Sequence, residues 1–80
     1  MNRTPVSSSN IRSVGFEGGE MEIEFSNGRV YRYTGPKVEA HYKGLMAADS
    51  IGKYFGAQVR PCQQTQARLV TDDSGVGESQ

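Results

Sequence analysis

The sequence predicts an α+β fold, in which a three-stranded antiparallel β-meander is followed by two short helices packed on one of its faces. Two observations support this prediction. Between residues 11 and 34, apolar and polar residues alternate on either side of two glycine-containing turns, which is the pattern of half-buried strands. Between residues 36 and 60, apolar residues recur instead at helical spacing.

The first hairpin turns at Gly18-Gly19, a two-residue loop that tolerates the positive φ angles of a tight turn. With this loop, Glu17 lies opposite Glu20, and the remaining pairs follow from the antiparallel register. The register places four apolar side chains on one face, which we expect to cover the core: Val14, Phe16, Met21 and Ile23.

The second hairpin admits two registers, which turn Tyr31 and Tyr33 to opposite faces of the sheet. If the turn has two residues and ends at Gly28, Arg32 faces the core and the tyrosines face outwards. If the loop has three residues, with Gly28 left-handed in a bulge, the tyrosines face the helices and Arg32 pairs with Glu22. Burying an unpaired charge is unfavourable, so the bulged register is favoured.

Two helices are predicted after Thr34-Gly35-Pro36 ends the sheet. The first covers residues 36–48, and the second begins at an Asp49-Ser50 cap. Their apolar positions are Val38, Tyr42, Leu45 and Met46 in the first helix, and Ile51, Phe55 and Val59 in the second. Gly52 and Gly56 lie four residues apart, so the second helix is expected to approach the sheet or a neighbouring subunit closely.

The two ends of the chain differ from its centre in composition. Residues 1–10 are polar and serine-rich, which predicts a flexible N-terminal arm whose last residues dock on the sheet. Residues 11–62 form the predicted domain. Residues 63–80 contain few apolar residues, and these do not recur at the spacing of a strand or a helix, so a disordered acidic tail is expected there.

Length, apolar content and charge limit the kinds of protein that this sequence can encode. Eighty residues form one domain with a thin core, which predicts a homo-oligomer. No apolar run is long enough to span a bilayer, and a single cysteine fits a reducing compartment, so we expect a cytoplasmic protein without membrane contact. Residues 1–62 hold eight Lys/Arg against six Asp/Glu, a small excess for a dedicated polyanion binder.

Three stretches, taken in order, resemble the KTSC domain family. They are Ser8…Ile11…Val14-Gly15-Phe16, then Ile23-x-Phe25-x-x-Gly28-x-x-Tyr31-x-Tyr33, then Ala48-x-Ser50-x-Gly52-x-Tyr54-Phe55…Val59-Arg60. One departure is Gly35-Pro36, where the family tends to have an apolar residue before the proline. The resemblance implies a small stand-alone protein of a bacterium or phage, from a family that also supplies a C-terminal domain to some lysyl-tRNA synthetases. It also implies RNA binding, which has been suggested for the family.

One candidate binding site is the triplet Tyr31, Arg32 and Tyr33. Two aromatic rings and a guanidinium can stack on bases and hold a phosphate. The bulged register favours the alternative, in which both tyrosines line the core and Arg32 makes a surface ion pair. A tyrosine at the margin of the core can still offer its hydroxyl group to a ligand.

A second candidate site is the start of the second helix. Its expected ligand-binding residues are Ser50, Gly52, Lys53 and Tyr54, with Arg60 joining them if the chain folds back. A hydroxyl group, backbone N–H groups and a lysine at a helix N-terminus are typical of anion binding. The alternative is an ordinary N-cap, and the spacing is not that of a P-loop.

The sequence predicts a protein that is not an enzyme. The single histidine, His41, has no cysteine or carboxylate at metal-ligand spacing, and no nucleophile with a base and an orienting carboxylate can be assigned. We therefore expect no catalytic residue, no metal and no cofactor.

Three functions stay open at this point. The first is an RNA-binding module. The second is an oligomer that binds a nucleotide-like small ligand, in a phage as a factor acting against host defence signalling. The third is a protein–protein interaction module that uses a sheet edge or a helix face.

Overall fold

The computed structural model describes residues 2–70 as an antiparallel sheet of five strands in chain order, with two helices packed against it. The strands are β1 (Thr4–Pro5), β2 (Ile11–Glu17), β3 (Glu20–Phe25), β4 (Val30–Thr34) and β5 (Gln66–Leu69). The helices are α1 (Val38–Ala47) and α2 (Ile51–Tyr54), and α2 continues directly into a π-helical turn (Phe55–Val59). Within residues 2–70, no helix is long and apolar enough to cross a membrane.

The prediction of three strands is wrong, because each end of the chain adds one strand to the meander. β1 lies in the predicted flexible arm and pairs with β2, and β5 lies in the predicted disordered tail and pairs with β4. β1 was missed because it has only two residues. β5 was missed because it has four residues, all exposed, so the alternation of Ala67 and Leu69 is too short to stand out as a strand pattern. The rest of the predicted tail, residues 71–80, lies outside the described residues.

The two predicted hairpin registers are confirmed. In the first, Phe16 pairs with Met21, and in the second, Glu22 pairs with Arg32. Gly28 has a φ of 89°, as the left-handed position of the bulged loop requires. Tyr33 is consequently buried on the helix side of the sheet, and Arg32 lies on the opposite face.

The core lies between the sheet and the helices. Its buried residues are Ile11, Val14, Met21, Ile23, Tyr33, Val38, Leu45 and Val59. The predicted apolar face of α1 needs one correction, because Met46 is 38% exposed and His41 is buried instead. The first helix also begins at Val38, two residues later than expected.

The predicted N-cap of the second helix is confirmed, whereas the expected approach of its two glycines to the sheet is wrong, and their approach to a neighbouring subunit stays a prediction. Ser50 Oγ accepts a hydrogen bond from the Lys53 backbone N–H at 3.3 Å. Gly52 faces the N-terminal arm rather than the sheet, and Gly56 faces open space. The close approach occurs instead at Gly44, where the Tyr54 side chain lies against the α1 backbone.

His41 makes stability depend on pH. Burial, and secondarily the charge of Lys37, lower the pKa of the His41 imidazole below its ordinary value, and Nε2 has no hydrogen-bond partner within residues 2–70. The unfolded chain therefore takes up the proton first, and stability is lost as the pH falls below about 6.5. We expect the urea midpoint to drop between pH 7.0 and pH 5.5.

The control for this pH effect is His41→Leu, which removes the titrating group and keeps an apolar side chain in the core. This variant should show a smaller drop of the urea midpoint over the same pH interval. Equal drops in the two proteins would contradict the assignment to His41.

Candidate ligand-binding groove

An open groove with a volume of about 480 Å³ lies at the end of the sheet where β3 and β4 are joined. Its walls are the second hairpin, the π-helical turn and the segment that leads into β5. The lining residues are Asn10, Phe25, Ser26, Asn27, Arg29, Tyr31, Tyr33, Phe55, Val59, Arg60, Thr65 and Ala67. We call this site the aromatic groove.

Four aromatic rings line the groove. Phe55 makes edge-to-face contacts with Phe25 and Tyr33, with ring centroids 5.4 and 5.8 Å apart. Tyr31 contacts Phe25 edge-to-face at 5.8 Å and Tyr33 at 6.5 Å. The alternation along β4 brings the two tyrosines to the helix side, and the π-helical turn places Phe55 over them. Such pairs hold the rings in fixed orientations.

The charges at the groove are positive. Arg29 and Arg60 are both exposed, and neither forms an ion pair within the described part of the chain. No Asp or Glu is among the lining residues. Burial, and secondarily the neighbouring Tyr31, raise the pKa of Tyr33 to about 12, while the charge of Arg60 acts in the opposite direction. The Tyr33 hydroxyl group is therefore protonated at neutral pH and can donate a hydrogen bond.

Arg32 is not part of this groove. On the helix-free face, Arg32 Nη2 donates to Glu22 Oε2 at 2.5 Å, and Arg3 Nη1 donates to Glu22 Oε1 at 2.8 Å. Burial opposes ionisation of Glu22, but the hydrogen bonds from the two arginines outweigh it and lower its pKa below the ordinary value. The predicted triplet is therefore divided between the two faces of the sheet.

The residues predicted around the second helix are also divided. Ser50, Gly52 and Lys53 line a second concavity of about 390 Å³, together with the serines of the N-terminal arm and Asp49. This concavity contains a carboxylate, and the Ser50 hydroxyl group already caps the helix. Tyr54 packs on Gly44 and lines neither site. Of the predicted residues, only Arg60 joins the tyrosines in the aromatic groove.

Nine lining residues were not assigned to a binding site from the sequence, and three of them supply aromatic rings or charge to the groove: Arg29, Phe25 and Phe55. Phe25 and Phe55 fit the apolar pattern of the core, and both are in fact half-buried against it. Arg29 directly follows Gly28, and only the bulged loop directs it to the mouth of the groove. Within residues 2–70, no group of three or more His, Cys, Asp or Glu is arranged to hold a metal ion.

Comparison with known proteins agrees with the resemblance seen in the sequence. The family model of the KTSC domain matches residues 7–62. The chain is 36% identical over 63 residues to an uncharacterized protein of Stutzerimonas stutzeri (strain A1501), an alignment that covers 76% of this chain and 87% of that protein. The crystal structure of a KTSC domain protein from Yersinia pestis is similar with a TM-score of 0.75 and 31% sequence identity, covering 86% of this chain and 96% of that one.

Proposed function

The chain belongs to the KTSC domain family, and on this premise we propose that it is a non-catalytic module that binds a nucleotide-like small ligand in the aromatic groove. Membership describes the fold and leaves the ligand open, so the choice of ligand depends on the site. One observation supports this proposal. The groove combines four aromatic rings with two arginines that form no ion pair within residues 2–70, and no carboxylate lines it.

These groups suit the two parts of a nucleotide. A base gains about 1–3 kcal/mol from stacking on an aromatic side chain, and Tyr31 is the least buried tyrosine of the groove. A guanidinium binds phosphate through parallel, charge-assisted hydrogen bonds, and Arg29 and Arg60 stand at the rim, where they can make such bonds. The groove thus offers an apolar surface for a ring beside a positive rim for an anion.

The size of the groove favours a small ligand over long RNA. A volume of about 480 Å³ falls within the range of small-molecule sites. A dedicated RNA-binding surface would carry a wider basic patch than two arginines. The lining residues also include no His, Cys, Asp or Glu, so the groove lacks the usual general bases of catalysis, which supports a binding role.

The test is an NMR titration of the full chain with AMP, adenosine, inorganic phosphate and a single-stranded uridine hexamer. We expect AMP to shift the resonances of residues 29–33 and 55–60, and to bind more tightly than adenosine or phosphate alone. Arg60→Gln should weaken AMP binding by about tenfold or more, since a charge-assisted hydrogen bond contributes about 1.5–3 kcal/mol. Tyr31→Leu should weaken it by removing the stacking surface.

Two lysines provide the controls. Lys43→Gln changes an exposed charge on α1 and should leave AMP binding unchanged. Lys53→Gln tests the second concavity, and an effect equal to that of Arg60→Gln would move the site there. Preferred binding of the uridine hexamer with a steep salt dependence would favour RNA instead. No shift at millimolar AMP would overturn the nucleotide proposal.

A further inference from the structure

The two edge strands of the sheet differ in how well they can pair with a further strand. β1 has two residues, and one of them is Pro5, which has no backbone N–H group, so this edge offers little to another strand. β5 has four residues, none of them proline or lysine, and all four are exposed. Among residues 2–70, no strand lies beyond β5. The open edge of the described sheet is therefore β5.

Half of the backbone groups of β5 point away from the sheet. The Val70 N–H donates to the Val30 carbonyl oxygen at 2.8 Å, which makes these two residues a hydrogen-bonded pair. Hydrogen-bonded pairs alternate along an antiparallel ladder, so the residues two and four positions earlier in β5 also bond to β4. The N–H and C=O groups of Ala67 and Leu69 consequently point outwards, where a further strand can bond to them.

We propose that the outer edge of β5 pairs with β5 of a second copy of the chain, in antiparallel orientation. The inference is independent of the ligand proposed for the aromatic groove. A strand that pairs with its own copy in this orientation is related to it by a two-fold axis perpendicular to the sheet. The two sheets then form one sheet of ten strands, with the helices of both copies on the same face.

Charge decides between the two possible registers. Opposite residues of an antiparallel pair share a face, so the axis passes through a residue, and only Ala67 or Arg68 as the centre aligns three residues of each β5. Arg68 as the centre would put two arginines opposite each other beside Arg32, which already lies opposite Arg68 within each chain. Ala67 as the centre puts Arg68 opposite Gln66 of the second copy, whose amide oxygen can accept from the guanidinium. The edge is thus complementary to its own copy in this register.

The register centred on Ala67 also provides partners for the outward backbone groups. The two Ala67 residues exchange two hydrogen bonds, and each Leu69 N–H faces the Thr65 carbonyl oxygen of the other copy. Leu69 is 49% exposed in the single chain and gains Thr65 of the second copy as a neighbour. An edge of four residues buries less surface than a permanent dimer does, so we expect weak association that depends on concentration.

The experiment measures self-association of the full-length chain by sedimentation velocity between about 0.05 and about 1 mM, where the sedimentation coefficient should rise with concentration. Ala67→Pro removes the outward N–H and leaves the bonds to β4 in place, because proline is tolerated where the N–H of an edge strand faces solvent. This variant should weaken association at least about fivefold, since two hydrogen bonds are lost per dimer.

Two charge variants test the register and do not depend on how the chain tolerates proline. Gln66→Glu places a carboxylate opposite Arg68 of the second copy and should strengthen association about threefold, whereas Gln66→Lys places a second cation there and should weaken it. Gln58→Glu and Gln58→Lys are the matched controls, because Gln58 is exposed on the π-helical turn, away from β5. They should change association less than about twofold.

An NMR sample that mixes isotope-labelled and unlabelled chains locates the contact. Residues of a non-hydrogen-bonded pair have Cα atoms about 4.5 Å apart, so we expect an intermolecular NOE between the Hα atoms of Gln66 and Arg68. A chain that stays monomeric at about 1 mM would overturn the proposal, as would association that none of the β5 variants changes. Slow exchange of the Ala67 and Leu69 amides in the monomer would show that the same chain covers this edge, and would also overturn it.

Discussion

Replacing Gly35 with alanine is expected to lower the free energy of unfolding by about 3 kcal/mol. Gly35 has a φ of 140°, which side chains rarely adopt, and an added Cβ would collide with the backbone carbonyl of Gln64. The collision partner is backbone that leads into β5, so the sheet edge must move to accommodate the methyl group. Urea denaturation followed by circular dichroism measures the loss.

Two other glycines separate the contributions of strain and collision. Gly28 also has a positive φ, but no atom lies within 4 Å of the position that an added Cβ would take, so Gly28→Ala should lose only about 1–2 kcal/mol. Gly56 has neither a positive φ nor a close neighbour, so Gly56→Ala should be neutral or stabilise by up to about 1 kcal/mol. A loss in Gly35→Ala no greater than that in Gly28→Ala would contradict the proposed collision.

Replacing Glu22 with glutamine is expected to cost about 2 kcal/mol, because the buried carboxylate accepts charged hydrogen bonds from two arginines. One of the two arginines is Arg3, which directly precedes β1, so Glu22→Gln also weakens the attachment of β1 to the sheet. The lowered pKa of Glu22 means that the unfolded chain is protonated first as the pH falls. Stability from this carboxylate is therefore present above about pH 4.5 and is lost below it.

The measurement is the urea midpoint of both proteins at pH 7.0 and at pH 3.5. Glu22→Gln should be less stable at neutral pH and should lose less stability on acidification than the unmodified chain. Glu24→Gln is the matched control, since Glu24 is more exposed and its contact with Arg12 is 3.9 Å long, so a change near 0.5 kcal/mol is expected. Equal losses at the two glutamates would show that the two-arginine arrangement contributes nothing.

Much of the central sheet could be predicted because its signals are local. The two glycine loops set the hairpin registers, and the cost of burying Arg32 selected the bulged turn over the two-residue turn. The three motifs of the resemblance extend from Ser8 through the second helix to Arg60 and led to the correct family. The signals of the outer strands are weaker, because Thr4–Pro5 has two residues and Gln66–Leu69 has four exposed residues, so a pattern of apolar side chains hardly marks either strand.

The candidate site was less predictable than the fold. Tyr31, Tyr33 and Arg60 were identified as candidates, but the sequence placed them in two separate sites and joined Arg32 to the tyrosines. Whether a residue reaches a given groove depends on contacts between elements far apart in the chain. Arg60 meets the tyrosines only because the π-helical turn lies across β4, and Arg29 joins them only through the loop geometry.

The hairpin Met21–Tyr33 separates what the sequence determines from what only the tertiary structure determines. The sequence by itself determined its register, its bulged loop and the face on which each side chain stands, because alternation, turn chemistry and the penalty for buried charge all act over a few residues. Only the tertiary structure decided what those faces meet. Glu22 meets Arg3, the residue before the added first strand, and the tyrosines lie beside Phe55 and the arginines of the groove. Those contacts depend on how distant segments pack, which no short-range pattern specifies.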